Sequence, residues 1–269
     1  MKSIIKSIGY ILFYVLFQSI VISIIAMIVK NSVNDVSQMQ NIINSNTLGL
    51  AILTNILTIL LLSLFFKLHK KRLYKETNIK LVDIKQCLLP CIIAFSASMI
   101  FSILTINLNF ENENLIQNSV RYYSNIMPFL GIILQIIALL LVSPFTEEII
   151  CRGLILTNIQ DKYNNVVAII VSALLFGIIH FMAGGIILVI GSVLMGIIFG
   201  FIYVKTKSLL PAIIAHGVAN IPDFIMAVLP KLSQSTSICL IVAFFLIFVF
   251  SIYNFSRRMD KQQIHEKKN

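Results

Sequence analysis

Long apolar segments recur along the whole chain, and they constrain the fold more than any other feature. Each is close to the roughly 20 residues that an α-helix needs to cross a bilayer. Eight can be delimited, at about 8–29, 47–66, 87–107, 126–143, 165–183, 186–204, 208–229 and 236–255. Because a lipid-embedded segment must satisfy its own backbone hydrogen bonds, the sequence predicts an all-α polytopic bundle of about eight transmembrane helices. The fourth segment is expected to break near Pro144 and to continue to about residue 159.

Composition agrees with a membrane protein and excludes a soluble globular class. Hydrophobic residues make up 58% of the chain and charged residues only 12%. No stretch is long or polar enough for a separate soluble domain, so we expect residues 1–269 to form a single multi-pass integral membrane domain. The first apolar run is longer than a signal-peptide core and is expected to be a retained anchor. Abundant Ile, Asn and Lys are typical of an AT-rich bacterial genome, which indicates a bacterial plasma membrane.

Basic residues are distributed unevenly across the predicted spans. If the N-terminus is cytoplasmic and eight spans alternate, 18 of the 21 Lys and Arg residues lie on the cytoplasmic side. The opposite side keeps only Lys30, Arg121 and Lys231. The positive-inside rule therefore predicts that both termini are cytoplasmic. The net charge of +10 follows the topology, so we expect the bilayer to be the partner of these charges and expect no nucleic-acid binding.

The segment Lys67–Gln86 is basic but also carries apolar side chains. These are Leu68, Leu73, Tyr74, Ile79 and Leu81. One interpretation is an amphipathic stretch on anionic lipid headgroups. The other is a solvated basic loop, and the sequence does not separate the two. Two further local expectations are a tight turn at Gly184-Gly185 and close helix packing at Gly191, Gly196 and Gly200.

Two adjacent carboxylates, Glu147 and Glu148, lie inside this apolar chain. A charge at membrane depth costs at least about 2.5 kcal/mol on insertion scales, so such residues are functional candidates. Glu148 and Arg152 are spaced i,i+4, which predicts an ion pair on one helix face. Glu147 points about 100° away around the helix. The spacing therefore makes Glu148 the structural partner of Arg152 and leaves Glu147 for chemistry.

Two of the four histidines lie within spans. His180 follows Phe176 at i+4, and His216 precedes Asn220 by the same spacing. A hairpin turn near 161–165 would place Glu147 and His180 each about 24 Å from the turn, and so at one depth. Each residue alone is most simply a structural group that holds helices together. Together, an acid, two histidines and an amide provide the base and the donors that hydrolysis requires.

Three motifs occur in order on successive apolar stretches: Glu147-Glu148-x-x-x-Arg152-Gly153, Phe176-x-x-x-His180 and His216-x-x-x-Asn220. In this the chain resembles the CPBP family, the CAAX prenyl protease and bacteriocin-processing family, also called Abi, of intramembrane proteases. The resemblance covers about 130–225. It implies that Glu147 activates water with the help of His180 and that His216 and Asn220 stabilise the oxyanion. It also implies that Glu148 and Arg152 maintain the shape of the site.

The resemblance leaves the cofactor open. The family was first described as metalloproteases, and a metal-free glutamate mechanism is also argued for its members. Zinc could be held by Glu147, His180 and His216 with one open position. However, the chain has no His-Glu-x-x-His motif, and Glu147 would then be a ligand rather than the base. The metal-free mechanism is favoured.

The resemblance implies an intramembrane endopeptidase. Its substrate would be a prenylated protein tail, the leader of a bacteriocin or signalling peptide, or another membrane protein. The first alternative is a non-catalytic immunity or regulatory protein that binds a peptide toxin or a membrane partner. The second is a proton-coupled or ion-coupled transporter that uses Glu147 and His180 as a relay. The sequence does not determine the oligomeric state.

Overall fold

The computed structural model describes residues 2–33, 35–107, 115–127, 129–229 and 232–266. Within these ranges every regular element is a helix, which confirms the all-α prediction. In chain order the helices are α1 (Lys2–Ser32), α2 (Val36–Ser45), α3 (Thr47–Leu68), α4 (Leu73–Glu76), α5 (Lys85–Asn107), α6 (Leu115–Ile126), α7 (Leu130–Gln160), α8 (Asn165–Ile179), α9 (Phe181–Thr206), α10 (Leu209–Ala219), α11 (Ile221–Val228) and α12 (Gln234–Glu266).

Seven helical segments in the described ranges are long and apolar enough to cross a membrane. They are α1, α3, α5, α7, α9, the consecutive pair α10 and α11, and α12. The remaining predicted span, at about 165–183, corresponds to α8, which is apolar but has only 15 residues. At 1.5 Å per residue it is about 22 Å long, shorter than the roughly 30 Å hydrocarbon core. The chain is a multi-pass integral membrane protein, and the cytoplasmic placement of its termini stays a prediction. Lys231, counted on the opposite side, lies outside the described residues.

Helix α7 is continuous, so the predicted break at Pro144 is wrong. Two π-helical stretches, Ile137–Val142 and Ile149–Leu156, flank one α-helical segment, Ser143–Glu148. A proline inside a regular helix clashes with the carbonyl four residues before it. The wider π turns that precede Pro144 relieve this clash by changing the backbone register. The first motif therefore begins in a helix that is irregular on both sides.

The chain forms two compact units. Unit 1 consists of Met1–Ser7, Tyr74–Glu111 and Glu148–Asn269, and unit 2 of Ile8–Leu73 and Asn112–Glu147. In unit 1, Met99 and Ile103 of α5 pack against Met226 of α11 in a buried apolar cluster. The prediction of one membrane domain over 1–269 stays a prediction.

Unit 2 is held together by a buried amide. Asn55 of α3 is 4% exposed. Its Oδ1 accepts hydrogen bonds from the hydroxyl of Tyr14 (3.2 Å) and from the amide of Gln18 (3.3 Å). Its Nδ2 lies 3.3 Å from the hydroxyl oxygen of Ser143. Such interhelical hydrogen bonds join α1, α3 and α7 without help from the hydrophobic effect, which is weak in lipid.

The close packing predicted at three glycines of α9 is confirmed. A Cβ on Gly191 would lie 2.4 Å from the ring of Phe101, and one on Gly196 would lie 3.0 Å from Ala173. The corresponding atom on Gly200 would lie 3.2 Å from a neighbouring side chain. The turn predicted at Gly184-Gly185 is displaced, because α8 already ends at Ile179 and the chain turns at His180. Gly185 itself has a φ of 62°, which glycine adopts without strain.

Candidate active site

A buried charge cluster in unit 1 joins the first and third motifs. Arg152 Nη1 donates a 2.8 Å hydrogen bond to Glu148 Oε1, which confirms the predicted i,i+4 ion pair. The same oxygen lies 2.9 Å from Nδ1 of His216. The side chains of Glu148 and Arg152 are completely buried, and His216 is 6% exposed. Two opposite charges buried in contact stabilise each other, whereas either one alone would be very unfavourable.

Arg152 is enclosed by the second motif and by α9. Its Nη2 donates a 2.8 Å hydrogen bond to the carbonyl oxygen of Gly196. The guanidinium carbon lies 4.6 Å from the ring centroid of Phe176 and 5.4 Å from that of Phe199. These contacts add cation–π attraction in a desolvated setting. A lysine could not reproduce this planar arrangement of donors and stacked faces.

His216 is held by two aromatic rings and through one nitrogen. Its ring stacks on Phe199 with centroids 4.5 Å apart and meets Phe176 edge-on at 5.6 Å. Glu148 is paired with a permanently charged guanidinium, so it is ionised and can only accept hydrogen bonds. The proton between them is therefore assigned to Nδ1 of His216. The neutral ring then has its lone pair on Nε2.

His180 lies where the second motif interrupts the helical backbone. Helix α8 ends at Ile179, and the N–H of His180 bonds to the carbonyl of Gly177 at 3.0 Å. Its Nδ1 lies 2.8 Å from the carbonyl oxygen of Phe176, and the two rings are 4.7 Å apart. Because a carbonyl only accepts, Nδ1 carries the proton and Nε2 is the basic nitrogen. The i+4 spacing of Phe176 and His180 thus brings the two rings into contact.

Asn220 lies at a second helix interruption, one turn after His216. Helix α10 ends at Ala219 and α11 begins at Ile221. Pro222 follows, and its missing N–H disfavours a continuous helix. The amide of Asn220 is half-buried at this junction. Interrupted helices at membrane depth occur where the backbone is enclosed by protein or lines a polar cavity.

Glu147 lies in the one α-helical segment of α7 between the two π-helical stretches, directly before Glu148. Its side chain is half-buried, as are those of His180 and Asn220, whereas Glu148 is completely buried. This difference in burial fits a division between reacting and supporting groups. The turn predicted near 161–165 is confirmed, since α7 ends at Gln160 and α8 begins at Asn165. The predicted approach of Glu147 to His180 stays a prediction.

The sequence left open a zinc site formed by Glu147, His180 and His216. Across the ranges that the structure describes, no group of three His, Cys, Asp or Glu side chains is arranged to hold a metal ion. The carboxylate of Glu148, which contacts His216, is already paired with Arg152. The described geometry therefore does not fit the zinc set considered from the sequence.

Sequence reasoning missed several residues that hold the cluster. Phe199 stacks on His216, and the backbone of Gly196 binds Arg152, yet both lie on a span without a motif. The sequence indicated Gly196 only as a close-packing position, and its i,i+3 spacing to Phe199 is common on apolar helices. Thr77, which is completely buried, lies against Gly153: a Cβ on Gly153 would be 2.6 Å from that of Thr77. Gly153, which ends the first motif, is therefore required because Thr77 lies too close to its backbone for a larger side chain.

The part of the chain that carries the three motifs is similar to known membrane peptidases. Residues 129–222 match the family described as "Type II CAAX prenyl endopeptidase Rce1-like". The Bacillus subtilis (strain 168) protein "Putative membrane peptidase YdiL" is 34% identical over 113 residues. This match covers 40% of the present chain and 45% of the relative, so the chain spans less than half the length of that protein. No solved structure matches the chain. The family match includes all three motifs and confirms, for residues 129–222, the resemblance to CPBP membrane proteases.

Proposed function

We propose that the protein is an intramembrane endopeptidase that hydrolyses a peptide bond in a peptide or membrane-associated protein. The observation that best supports this proposal is that residues from all three motifs meet in one buried cluster. Arg152 and Glu148 from the first motif contact Phe176 from the second and His216 from the third. Motif residues that are far apart in sequence but packed together are expected of a catalytic centre.

Glu147 is proposed to act as the general base. It removes a proton from water while the water oxygen attacks the scissile carbonyl carbon, whose π electrons move onto the carbonyl oxygen. His180 helps to orient this water through Nε2, the nitrogen that does not bind Phe176. When the intermediate collapses, the C–N bond breaks and the proton on Glu147 passes to the leaving nitrogen. The products are one carboxylic acid and one amine, and no oxidant or cofactor is consumed.

Asn220 and His216 are proposed to stabilise the oxyanion of the tetrahedral intermediate. The amide N–H of Asn220 can donate in every protonation state. His216 can donate through Nε2 only as the imidazolium, because Glu148 holds the proton at Nδ1. Glu148 would therefore set the state of His216 in addition to pairing with Arg152. A preorganised donor of this kind contributes about 2.7–4 kcal/mol to transition-state stabilisation in comparable sites.

The substrate is proposed to be a peptide or a membrane-associated protein segment. Three classes fit the resemblance: a prenylated protein tail, the leader of a secreted peptide, and another membrane protein. The composition of the chain favours peptide processing over prenyl-protein processing. Processing of a bacteriocin or signalling-peptide leader is therefore the first class to test.

Comparative peptidomics tests this proposal. Cells would express wild type, Glu147→Gln or the control Glu76→Gln at matched abundance. Glu76 is a half-buried glutamate outside the motifs, so this control makes the same chemical change away from the site. A new peptide or protein terminus in wild-type and Glu76→Gln cells, absent with Glu147→Gln, would establish proteolysis and identify the bond. Identical profiles, with a cellular phenotype that all three forms rescue, would favour the non-catalytic binding protein.

A further inference from the structure

The segment that joins α4 to α5 is held firmly at its base. Asn78 donates a 3.1 Å hydrogen bond to the hydroxyl of Tyr203 and accepts one of 3.1 Å from the N–H of Leu209. Ser208 donates a 2.8 Å hydrogen bond to the carbonyl of Lys80. These contacts anchor the segment to the ends of α9 and α10. We call residues 74–85 the anchored loop.

The outer side of the anchored loop exposes large apolar side chains. Leu81 is 95% exposed, Ile84 is 75% exposed and Tyr74 is 48% exposed. Directly after them, at Lys85, begins the membrane-spanning segment Lys85–Asn107. Leu81 is only four residues from this start, so it lies at the membrane boundary. A fixed loop that presents apolar side chains at this position is suited to the lipid interface.

Exposed basic side chains lie on the anchored loop and on two elements that contact it. The contact between Ser208 and Lys80 brings Lys207 beside the loop. Arg258 Nη1 donates a 3.2 Å hydrogen bond to the carbonyl of Lys85, which brings the end of α12 to the same place. The exposed members of this basic patch are Lys75, Lys80, Lys85, Lys207, Arg257, Arg258 and Lys261.

The acidic residues nearby do not cancel the patch. The carboxylate of Asp83 accepts a 3.0 Å hydrogen bond from the backbone N–H of Lys85 at the start of α5. Asp260 forms a 2.7 Å ion pair with Lys205, which is not a member of the patch. Glu76 is half-buried. A net positive surface therefore remains around Leu81 and Ile84.

We propose that the anchored loop and the basic patch form a binding surface for anionic lipid headgroups, with Leu81 and Ile84 inserted among the acyl chains. Lysine and arginine side chains beside a membrane bind anionic phosphates, and apolar side chains between them add burial. The observations favour this over a solvated loop, because the backbone hydrogen bonds hold the tip in one position. The proposal is independent of peptidase activity.

A single tryptophan tests the proposal, because the chain contains none. Full-length Leu81→Trp would be reconstituted in nanodiscs of phosphatidylcholine alone or mixed with phosphatidylglycerol. Brominated acyl chains then quench the fluorescence of an inserted indole. We expect quenching to rise about twofold with the anionic lipid, and the rise to shrink at high salt because ions screen the attraction. Leu246→Trp, 63% exposed on the membrane-spanning part of α12, is the matched control and should be quenched equally in both lipids.

Charge variants complete the test. Adding Lys80→Gln and Lys85→Gln to the Leu81→Trp protein should abolish the difference between the two lipids, whereas adding Lys30→Gln should leave it unchanged. Equal quenching of residue 81 in both lipids would overturn the role of anionic headgroups. A water-exposed emission maximum without quenching in either lipid, while residue 246 is quenched, would overturn insertion itself.

Discussion

Two neighbouring glutamates in the first motif have very different surroundings. Glu148 is completely buried and shares one carboxylate oxygen between Arg152 and His216. Its other oxygen, and Nε of Arg152, are buried without a hydrogen-bond partner among the described residues. Glu147 is half-buried. A completely buried group with two polar contacts is expected to contribute mainly to stability, whereas a half-buried group is expected to contribute mainly to chemistry.

Replacing each glutamate by glutamine should separate these two roles. Glu148→Gln leaves the buried charge of Arg152 uncompensated, at a cost of about 3–5 kcal/mol, so folded protein should decrease. Glu147→Gln should leave folded protein abundant and remove proteolysis. The amount of monodisperse protein after detergent extraction, together with its melting temperature, measures the first effect. Equal loss of folded protein in both variants would contradict this division.

The protonation of His216 can be observed directly. We expect the neutral ring to carry its proton on Nδ1, because the carboxylate of Glu148 accepts there. The ¹⁵N shifts of histidine-labelled protein distinguish the two tautomers. His216→Gln identifies the signal among the four histidines of the chain. A neutral His216 protonated on Nε2 would show that Glu148 does not set its state.

Among the elements, the three motifs share a feature that regular helices lack. The glutamates lie between two π-helical stretches, His180 lies between α8 and α9, and Asn220 lies between α10 and α11. Each irregularity changes the direction of backbone or side chain at a candidate catalytic residue. Irregular turns of this kind concentrate at functional sites, because they aim polar groups that an ideal helix would direct elsewhere.

Gly153 provides a test at the level of helix packing. In Gly153→Ala the new methyl group would lie 2.6 Å from the Cβ of buried Thr77, so α7 and the anchored loop would have to separate. Overpacking of this kind costs about 1–3 kcal/mol, and the melting temperature should fall accordingly. Gly9→Ala is the matched control, since nothing lies within 4 Å of its added Cβ. Combining Gly153→Ala with Thr77→Gly should recover part of the loss. Independent, additive losses would contradict the contact.

At the scale of the whole molecule, the topology depends on whether α8 crosses the membrane. Among the described residues, seven segments are long enough to span, and the apolar helix α8, with 15 residues, falls short of the usual length. If both termini share the cytoplasmic side, as the positive-inside pattern predicts, the number of crossings must be even, and the seven long segments together with α8 make eight. A short helix can cross where the bilayer thins or where its neighbours shield its ends. We therefore expect α8 to cross.

Reporter fusions test this expectation. Green fluorescent protein fused after residue 269 should fluoresce, because it folds in the cytoplasm. Alkaline phosphatase should be active when fused after residue 184 and inactive when fused after residue 162, since these positions flank α8. As a control, each position is also fused to the other of the two reporters. Active phosphatase at residue 269, or equal activity at residues 162 and 184, would refute eight crossings.

The sequence alone predicted the helical membrane class, the order of the spans and the ion pair between Glu148 and Arg152. Hydrophobic segment length and i,i+4 spacing are local properties, and lipid leaves the backbone few alternatives to a helix. The break predicted at Pro144 was wrong, because the π-helical register that accommodates the proline is a property of the folded backbone. The displaced turn at His180 has the same origin.

Only the tertiary structure decided which side chains meet. The stacking of Phe199 on His216, the bond from Arg152 to the carbonyl of Gly196 and the contact of Thr77 with Gly153 join residues far apart in the chain. No periodic pattern records such contacts, because each depends on the depth and rotation at which two helices pack. The motifs identified the candidate residues, and the packing of the helices determined that Glu148 contacts both Arg152 and His216.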